Sequence, residues 1–163
     1  MSYKILVSGG AGYIGSLLTP ALLQKGYEVT VLDNLMYNQG SLFDLCSNNN
    51  FKFINNEINN INLIKEIIND FDIYIPLAAL VGAPLCARDP SKTKLINYDS
   101  HIDLFNYIGD KLKIIFPSTN SGYGKTKQGE FCNEDSKVNP LSDYGKYKLD
   151  IEQKYLLRKN SIV

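Results

Sequence analysis

The sequence has little histidine and cysteine, and it carries no excess of basic charge. His101 is the only histidine of the 163 residues, and the cysteines, Cys46, Cys86 and Cys132, lie far apart. This scarcity argues against a zinc site and against a disulfide framework. Lysine and arginine together number 17, as do aspartate and glutamate, and the lysines are scattered rather than clustered. We therefore expect no metal and no nucleic-acid partner, because both need a concentration of ligating or basic side chains.

Long apolar runs are absent as well. No stretch is long enough to span a bilayer, and the chain leads from Met1 into a strand pattern without the features of a signal peptide. Together with the unpaired cysteines, this predicts a cytoplasmic protein with no membrane partner. Hydrophobic residues make up 44% and charged residues 21%, which is typical of a globular chain, and the length favours one domain over residues 1–163. We expect His101 on the surface of a helix rather than in a catalytic triad.

A glycine-rich turn near the N-terminus joins an apolar run, residues 5–7, to a helical pattern that begins at Ile14. A strand, a glycine turn and a helix in this order place an anion at the helix N-terminus, where free N–H groups favour negative charge. Gly9 would permit the tight exit from the strand, Gly12 the close approach of a pyrophosphate, and Gly15 the close packing of the helix. A plain strand-to-helix turn without a ligand is the alternative interpretation.

An acidic residue ends the second strand, which we predict over residues 29–32. Asp33 lies close to the position where a carboxylate meets the adenosine ribose in dinucleotide-binding folds. Such a carboxylate accepts hydrogen bonds from the ribose hydroxyls and repels a 2′-phosphate. No arginine follows between Asp33 and Ser41 to bind that phosphate. The pattern therefore favours NAD over NADP, and a solvated aspartate at a strand end is the alternative.

Strand and helix patterns alternate along the rest of the chain. Further strands are predicted at 51–54 and 114–116, with the start of a sixth at 162–163. The stretch 73–79 is predicted as a strand that runs into a small-residue turn and ends at Pro76, which lacks an N–H group for the ladder. Helices are predicted around 41–46, 61–68, 90–109 and 140–157, with an open loop at 81–84 and a polar loop at 122–139. Alternation of this kind predicts an α/β fold: a Rossmann-type doubly wound parallel sheet of strand order 3-2-1-4-5.

Two further groups of polar residues are expected at the carboxyl edge of this sheet, where ligands of such folds bind. Hydroxyl groups cluster at 118–121 after the fifth strand, and Tyr144 and Lys148 lie on one face of the next helix. The ammonium of Lys148 and a bound NAD would lower the pKa of the phenol from about 10 toward neutrality. Such a tyrosine can take a proton from a sugar hydroxyl while the hydride passes to NAD, and a Ser or Thr hydroxyl can align the same oxygen.

The tyrosine–lysine spacing alone does not identify this pair, because the sequence repeats it at Tyr107/Lys111, Tyr123/Lys127 and Tyr155/Lys159. Only Tyr144 opens the helix that follows the hydroxyl cluster. Position therefore favours Tyr144 and Lys148, and a solvated helix pair without a catalytic role is the alternative.

Five motifs in order along the whole chain resemble one known family, the extended short-chain dehydrogenase/reductases, or NAD-dependent epimerase/dehydratase family of nucleotide-sugar enzymes. The motifs are Gly9-Gly10-Ala11-Gly12-Tyr13-Ile14-Gly15, Asp33-Asn34-Leu35, Leu77-Ala78-Ala79, Ser118-Thr119-Asn120-Ser121-Gly122-Tyr123-Gly124 and Tyr144-Gly145-Lys146-Tyr147-Lys148. The resemblance implies an enzyme that holds NAD tightly and acts on a nucleotide-sugar. In epimerases of the family, C4 of the sugar is oxidised, the keto-sugar turns over, and the hydride returns to the other face.

The resemblance also assigns roles to residues. Tyr144 would be the catalytic base, Thr119 the catalytic hydroxyl, and Lys148 both catalytic and bound to the nicotinamide ribose. Asn97 matches the helix asparagine of the family, and Glu57-Ile58 matches an Asp-Ile pair at the adenine, with Glu in place of Asp. The full set expected to bind the cofactor is Gly9, Gly12, Tyr13, Ile14, Gly15, Asp33, Asn34, Glu57, Ile58, Leu77, Ala78, Ala79, Asn97, Ser118, Tyr144 and Lys148. A homodimer through helix 95–108 and the helix of Tyr144 is also implied.

The sequence departs from the family pattern in three respects. Asn120-Ser121 replaces the Asp-Glu pair of the 4,6-dehydratases, and since neither residue titrates near neutral pH, that mechanism is disfavoured. Pro76 stands where many members have histidine. Family members are about twice as long, so we expect this chain to be a cofactor-binding part without the substrate domain, weakly active or inactive alone. The alternatives to an epimerase are another NAD-dependent dehydratase or oxidoreductase of the family and a non-catalytic NAD-binding module.

Overall fold

A computed structural model describes residues 2–125, 129 and 131–163 and shows strands alternating with helices. The strands are β1 (Lys4–Ser8), β2 (Glu28–Asp33), β3 (Phe51–Asn55), β4 (Ile73–Pro76), β5 (Lys113–Ile115) and β6 (Ser161–Ile162). The helices are α1 (Gly15–Gln24), α2 (Ile61–Ile67), α3 (Ala83–Arg88), α4 (Pro90–Lys94), α5 (Ser100–Phe105) and α6 (Asp143–Leu156). Short 3₁₀ turns occupy Phe43–Leu45, Ile68–Asp70 and Asn120–Gly122.

The strands form one parallel sheet of order β3-β2-β1-β4-β5-β6. This confirms the predicted order 3-2-1-4-5 and adds β6 at the edge, where Ile115 is in register with Ile162. β4 ends at Pro76, as expected for a residue that lacks the N–H group needed to continue the ladder. The carboxyl ends of β1, β2, β4 and β5 thus meet at one edge, and they position the site described below.

Alternate residues of the strands pack on opposite faces of the sheet. Ile5 and Val7 of β1 contact the core on the side of α1, whereas Leu6 between them contacts the core formed with α2, α5 and α6. These three residues are at most 1% exposed. The continuous apolar runs of the sequence therefore reflect burial on both faces, which is usual for a parallel sheet.

The helical regions differ from the sequence prediction in two places. An open loop is predicted over 81–84, but residues 83–88 form α3, whose first turn accommodates Pro84 because an N–H group there needs no helical partner. The helix predicted over 90–109 is divided: α4 and α5 are joined by a π-helical segment, Leu95–Asp99. π-Helical turns of this kind are frequent at functional sites.

The prediction for His101 is wrong, because this residue is only 4% exposed. Its Nδ1 atom lies 3.2 Å from the Tyr155 hydroxyl, and its ring meets those of Phe116 and Tyr155 edge-on. Burial, helped by the nearby charge of Lys148, lowers the pKa of His101 to about 3, so the ring is neutral at pH 7. The helical pattern located the residue correctly, but the face it occupies depends on α6.

Candidate functional site

A cavity of about 450 Å³ opens beyond the carboxyl ends of β1, β2 and β4. Most of the residues expected to bind a cofactor line it: Gly9, Gly12, Tyr13, Ile14, Gly15, Asp33, Asn34, Glu57, Ile58, Leu77, Ala78 and Ala79. The sequence interpretation missed several other lining residues, namely Leu32, Met36, Tyr37, Gln39, Asn56, Leu80, Val81 and Ile96. They lie mainly in loops that follow strands, where position in the fold was the only available signal.

The glycine turn forms one wall of the cavity. Gly9 has a φ of +73°, and a Cβ atom there would lie 2.5 Å from the Ala78 nitrogen, so only glycine fits between β1 and the loop after β4. A Cβ atom at Gly15 would clash with the backbone of Gly10. In the described ranges of the chain, the one close neighbour of such an atom at Gly12 is the Gly9 carbonyl oxygen, at 3.2 Å. The turn therefore presents bare backbone to the cavity at Gly12.

The start of α1 presents unpaired hydrogen-bond donors beside this turn. Among the described residues, no acceptor pairs with the N–H groups of Tyr13, Ile14 or Gly15, which lead into the helix. Gly12 and Ser16, by contrast, donate to the carbonyl oxygens of Gly9 and Gly12. Free donors at the positive end of a helix suit a phosphate group.

The Asp33 carboxylate joins the glycine turn to the loop after β2. One oxygen accepts from the Ala11 N–H at 3.0 Å, and the other accepts from the Leu35 N–H at 2.8 Å. Asp33 is 7% exposed, and its exposed part lines the cavity. Each carboxylate oxygen has a second lone pair, so both can still accept a hydrogen bond from a ligand hydroxyl. Asp33 therefore has a structural role that the sequence did not predict, in addition to its place at the cavity.

Asn97, which was expected to bind the cofactor, does not line the cavity. Its side-chain amide lies on the π-helical segment, accepts from the Leu80 N–H at 2.9 Å and donates to the Leu80 carbonyl at 2.8 Å. The Cys86 thiol donates to the same carbonyl oxygen. Asn97 thus fixes the loop after β4, whose residues Leu77–Val81 do line the cavity.

Thr119, Tyr144 and Lys148 form a second group, where the segment after β5 meets the start of α6. The Ser142 hydroxyl accepts from the Gly145 N–H and caps the helix. Glycines bring the two segments close, since a Cβ atom at Gly145 would lie 3.0 Å from the Ser121 carbonyl oxygen. Tyr144 and Lys148 are 9% and 5% exposed, which excludes the alternative of a solvated pair on the helix surface.

The chain by itself does not lower the pKa of Tyr144. Burial raises the pKa of this phenol, and the neighbouring Thr119 side chain only partly opposes the rise. No lowering by Lys148 opposes this rise, and the Lys148 ammonium donates to the Pro117 carbonyl at 2.9 Å. Burial lowers the pKa of Lys148 itself to about 8. The lowered phenol pKa expected from the sequence thus cannot come from these protein groups alone.

Ser118 and the other tyrosines that have a lysine four residues later contact other parts of the chain. The Ser118 hydroxyl donates to the Glu152 carboxylate on α6 and does not line the cavity. Tyr107 donates to the Lys65 carbonyl, and the Tyr155 hydroxyl lies against His101 in the core. Tyr123 lines a separate cavity, and its spacing partner, Lys127, lies outside the described residues.

Comparison with known proteins agrees with this geometry. The profile of the NAD dependent epimerase/dehydratase family matches residues 5–157. The chain belongs to this family. A UDP-glucose 4-epimerase from Lacticaseibacillus casei is 34% identical over 154 residues, which is 91% of this chain and 45% of that protein. A UDP-N-acetyl-alpha-D-glucosaminuronate decarboxylase from Bacillus cytotoxicus is 32% identical over 77% of this chain and 39% of its own length. The chain thus spans about half the length of these relatives.

Solved structures of other proteins also resemble this chain. The UDP-glucuronic acid 4-epimerase from Bacillus cereus in complex with NAD superimposes with a TM-score of 0.83 at 33% identity, covering 94% of this chain and 52% of that one. Pal from Bacillus thuringiensis superimposes with a TM-score of 0.86 at 29% identity, covering 98% of this chain and 54% of that one. The family is one of NAD-dependent enzymes, and its neighbours share the Rossmann fold.

The residues of the cavity fit the cofactor of the family. The bare backbone at Gly12 and the unpaired donors at the start of α1 suit a pyrophosphate. The carboxylate of Asp33 suits the hydroxyl groups of a ribose. Within the part of the chain that the structure describes, no group of three or more His, Cys, Asp or Glu side chains is placed to hold a metal ion. In that same part, every helix is too short or too polar to cross a membrane.

Proposed function

We propose that this chain is the NAD-binding part of a nucleotide-sugar epimerase that acts at C4 of the sugar. The observation that carries the proposal is the burial of Tyr144 beside Thr119, one helical turn before Lys148, at the same sheet edge as the cavity. A structural tyrosine–lysine pair needs neither this burial nor this position. A non-catalytic NAD-binding module would need none of these side chains.

The cofactor would be held by the residues that line the cavity. Gly12 and the N–H groups of Tyr13 and Ile14 would bind the pyrophosphate, and Asp33 would bind the adenosine ribose. Glu57 and Ile58 lie at the same cavity and would contact the adenine. Lys148 would bind the nicotinamide ribose, and Ala78, Ala79 and the loop fixed by Asn97 would contact the cofactor. NAD, when bound, supplies a hydride acceptor.

The catalytic side chains would remove the proton of the sugar hydroxyl and orient its oxygen. Tyr144 would take this proton as general base, and the Thr119 hydroxyl would donate a hydrogen bond to the same sugar oxygen and hold it in line. Because burial raises the pKa of Tyr144 in the free chain, the phenol is protonated at pH 7 until a ligand binds. The positive charge of Lys148 would then favour the phenolate.

Residues 120 and 121 favour an epimerase over a 4,6-dehydratase. Asn120 and Ser121 follow Thr119 directly, and neither can exchange a proton near neutral pH. Several relatives are UDP-sugar 4-epimerases, which supports UDP-glucose or a similar nucleotide-sugar as the substrate. The homodimer and the cytoplasmic location remain predictions from the sequence.

The proposed role of Tyr144 is tested by Tyr144→Phe in the complete gene product. Removal of a general base costs roughly 10²–10⁴ in rate, so we expect turnover of UDP-glucose to fall by that factor while the calorimetric affinity for NAD changes less than about twofold. Tyr147→Phe is the matched control, because Tyr147 lies on the same helix and packs on Tyr98. Equal turnover in the two variants would refute the role of Tyr144.

A further inference from the structure

The ammonium of Lys148 lies over an aromatic ring. Its Nζ atom is 4.3 Å from the centroid of Phe116, the residue that follows β5, and it donates to the next carbonyl, that of Pro117, at 2.9 Å. A cation at this distance from a ring face is attracted by the negative face of the π system. Phe116 therefore contacts a buried cation of the candidate site.

Two other rings hold the Phe116 ring in place. His101 of α5 meets it edge-on, with centroids 5.6 Å apart and planes at 87°, and Tyr155 of α6 packs at 5.2 Å. Phe116 is 1% exposed and belongs to the core. Because the ring is enclosed on these sides, its face toward Lys148 has a fixed direction.

No anionic side chain of the described residues is hydrogen-bonded to this ammonium. Burial keeps His101 neutral, since it lowers the pKa of that ring to about 3, and burial raises the pKa values of Tyr144 and Tyr155. Cys86 of α3 and Tyr74 of β4 are also buried, and their pKa values are raised. Glu152, one turn after Lys148 on α6, accepts the hydroxyl of Ser118 instead. The ring of Phe116 and the Pro117 carbonyl are thus the contacts that stabilise the charge.

We propose that Phe116 is a positioning residue, whose ring face keeps the Lys148 side chain charged and in one orientation at the end of β5. The proposal rests on the proposed function, in which Lys148 binds the nicotinamide ribose. An aliphatic residue at position 116 could also be buried in the core, but it would present no negative ring face to the Lys148 ammonium.

The test weakens the ring face while leaving its volume nearly unchanged. Mono-, di- and trifluorophenylalanine are incorporated at position 116, and the titration of Lys148 is followed by NMR of ¹³C-labelled lysine, with its resonance assigned by its loss in Lys148→Met. We expect the titration midpoint to fall stepwise with fluorine content, by roughly 0.5 to 1 pH unit for the trifluoro ring. NAD affinity at pH 8.5 should fall in the same order.

The same fluorinated series at Phe105 is the control. Phe105 also packs on Tyr155, at 6.2 Å, but its cationic neighbour is Arg158 rather than Lys148. An unchanged midpoint in the position-116 series, or an equal fall in both series, would overturn the proposal. A lower midpoint with unchanged NAD affinity would support the role of Phe116 and contradict the proposed role of Lys148 in binding the cofactor. Phe116→Leu, which leaves room for water beside Lys148, is therefore only a secondary variant.

Discussion

The glycine turn that forms one wall of the cavity presents bare backbone, whereas the group on β5 and α6 consists of side chains, of which Tyr144 and Lys148 are buried. Gly9 and Gly12 act in the first region by having no side chain. In the second, Lys148, Phe116 and His101 act through contacts between residues far apart in the sequence. The first region should therefore be most sensitive to added atoms and lost hydrogen bonds, and the second to changes of charge.

The largest effect is expected from Gly9→Ala. The new methyl group would lie 2.5 Å from the Ala78 nitrogen in a left-handed conformation, so we expect a loss of about 3 kcal/mol or more in the free energy of unfolding, and loss of NAD binding. Gly26→Ala is the matched control, because its φ is +83° but nothing lies within 4 Å of the added atom. Only about 1 kcal/mol should be lost there. If urea unfolding shows equal losses of unfolding free energy in Gly9→Ala and Gly26→Ala, backbone strain and not the close approach of Ala78 requires glycine at position 9.

The buried histidine makes the second region sensitive to acid. Folding lowers the pKa of His101 from 6.5 to about 3, so below pH 6.5 the unfolded chain binds a proton that the folded chain does not. Stability should then fall by up to about 1.4 kcal/mol per pH unit between pH 6 and pH 4 from this group alone. His101→Gln, which does not titrate, should show a shallower decline in urea unfolding across that range. Parallel profiles would contradict the burial of a neutral ring.

A third effect distinguishes Asn97 from the lining residues of the cavity. Asn97→Ala would leave the buried Leu80 N–H without a partner, at a cost of about 1–3 kcal/mol. Because Asn97 acts on the loop and not on the ligand, NAD affinity should fall through disorder of that loop, visible as faster hydrogen exchange at Leu80. Asn106→Ala, at the exposed end of α5, is the control. Weaker NAD binding without faster exchange at Leu80 would indicate direct contact with the cofactor.

The smallest effect concerns the choice of cofactor by Asp33. Heating the protein with NAD should raise its melting temperature, and NADP should raise it less, because the carboxylate repels a 2′-phosphate. Asp33→Asn should narrow that difference, and it should also cost about 1 kcal/mol in stability, since an amide oxygen replaces only one of the two acceptors used by Ala11 and Leu35. Equal stabilisation of the unmodified chain by NAD and NADP would refute the preference.

Local sequence predicted the features that depend on local chemistry. The strands, the tight glycine turn after β1, the acidic end of β2 and the end of β4 at Pro76 follow from the preferences of a few adjacent residues. The family resemblance added Thr119 and Asn97 to the predicted site residues. The missed features involve contacts between distant segments, such as the cavity-lining Met36 and Ile96. The open loop predicted at 81–84 gives way to α3 from Ala83, and this helix packs against α6.

The sequence by itself determined the alternation of strands and helices, the strand order and the glycine turn, because period, turn chemistry and right-handed crossovers leave few alternatives. Only the tertiary structure decided whether the pKa of each buried titratable group is raised or lowered. The i, i+4 spacing predicted that Lys148 would lower the pKa of Tyr144, but burial raises it, and Lys148 is directed to Pro117 and Phe116. A pKa depends on solvent exposure and on every charge nearby, and these are set by packing across the whole chain.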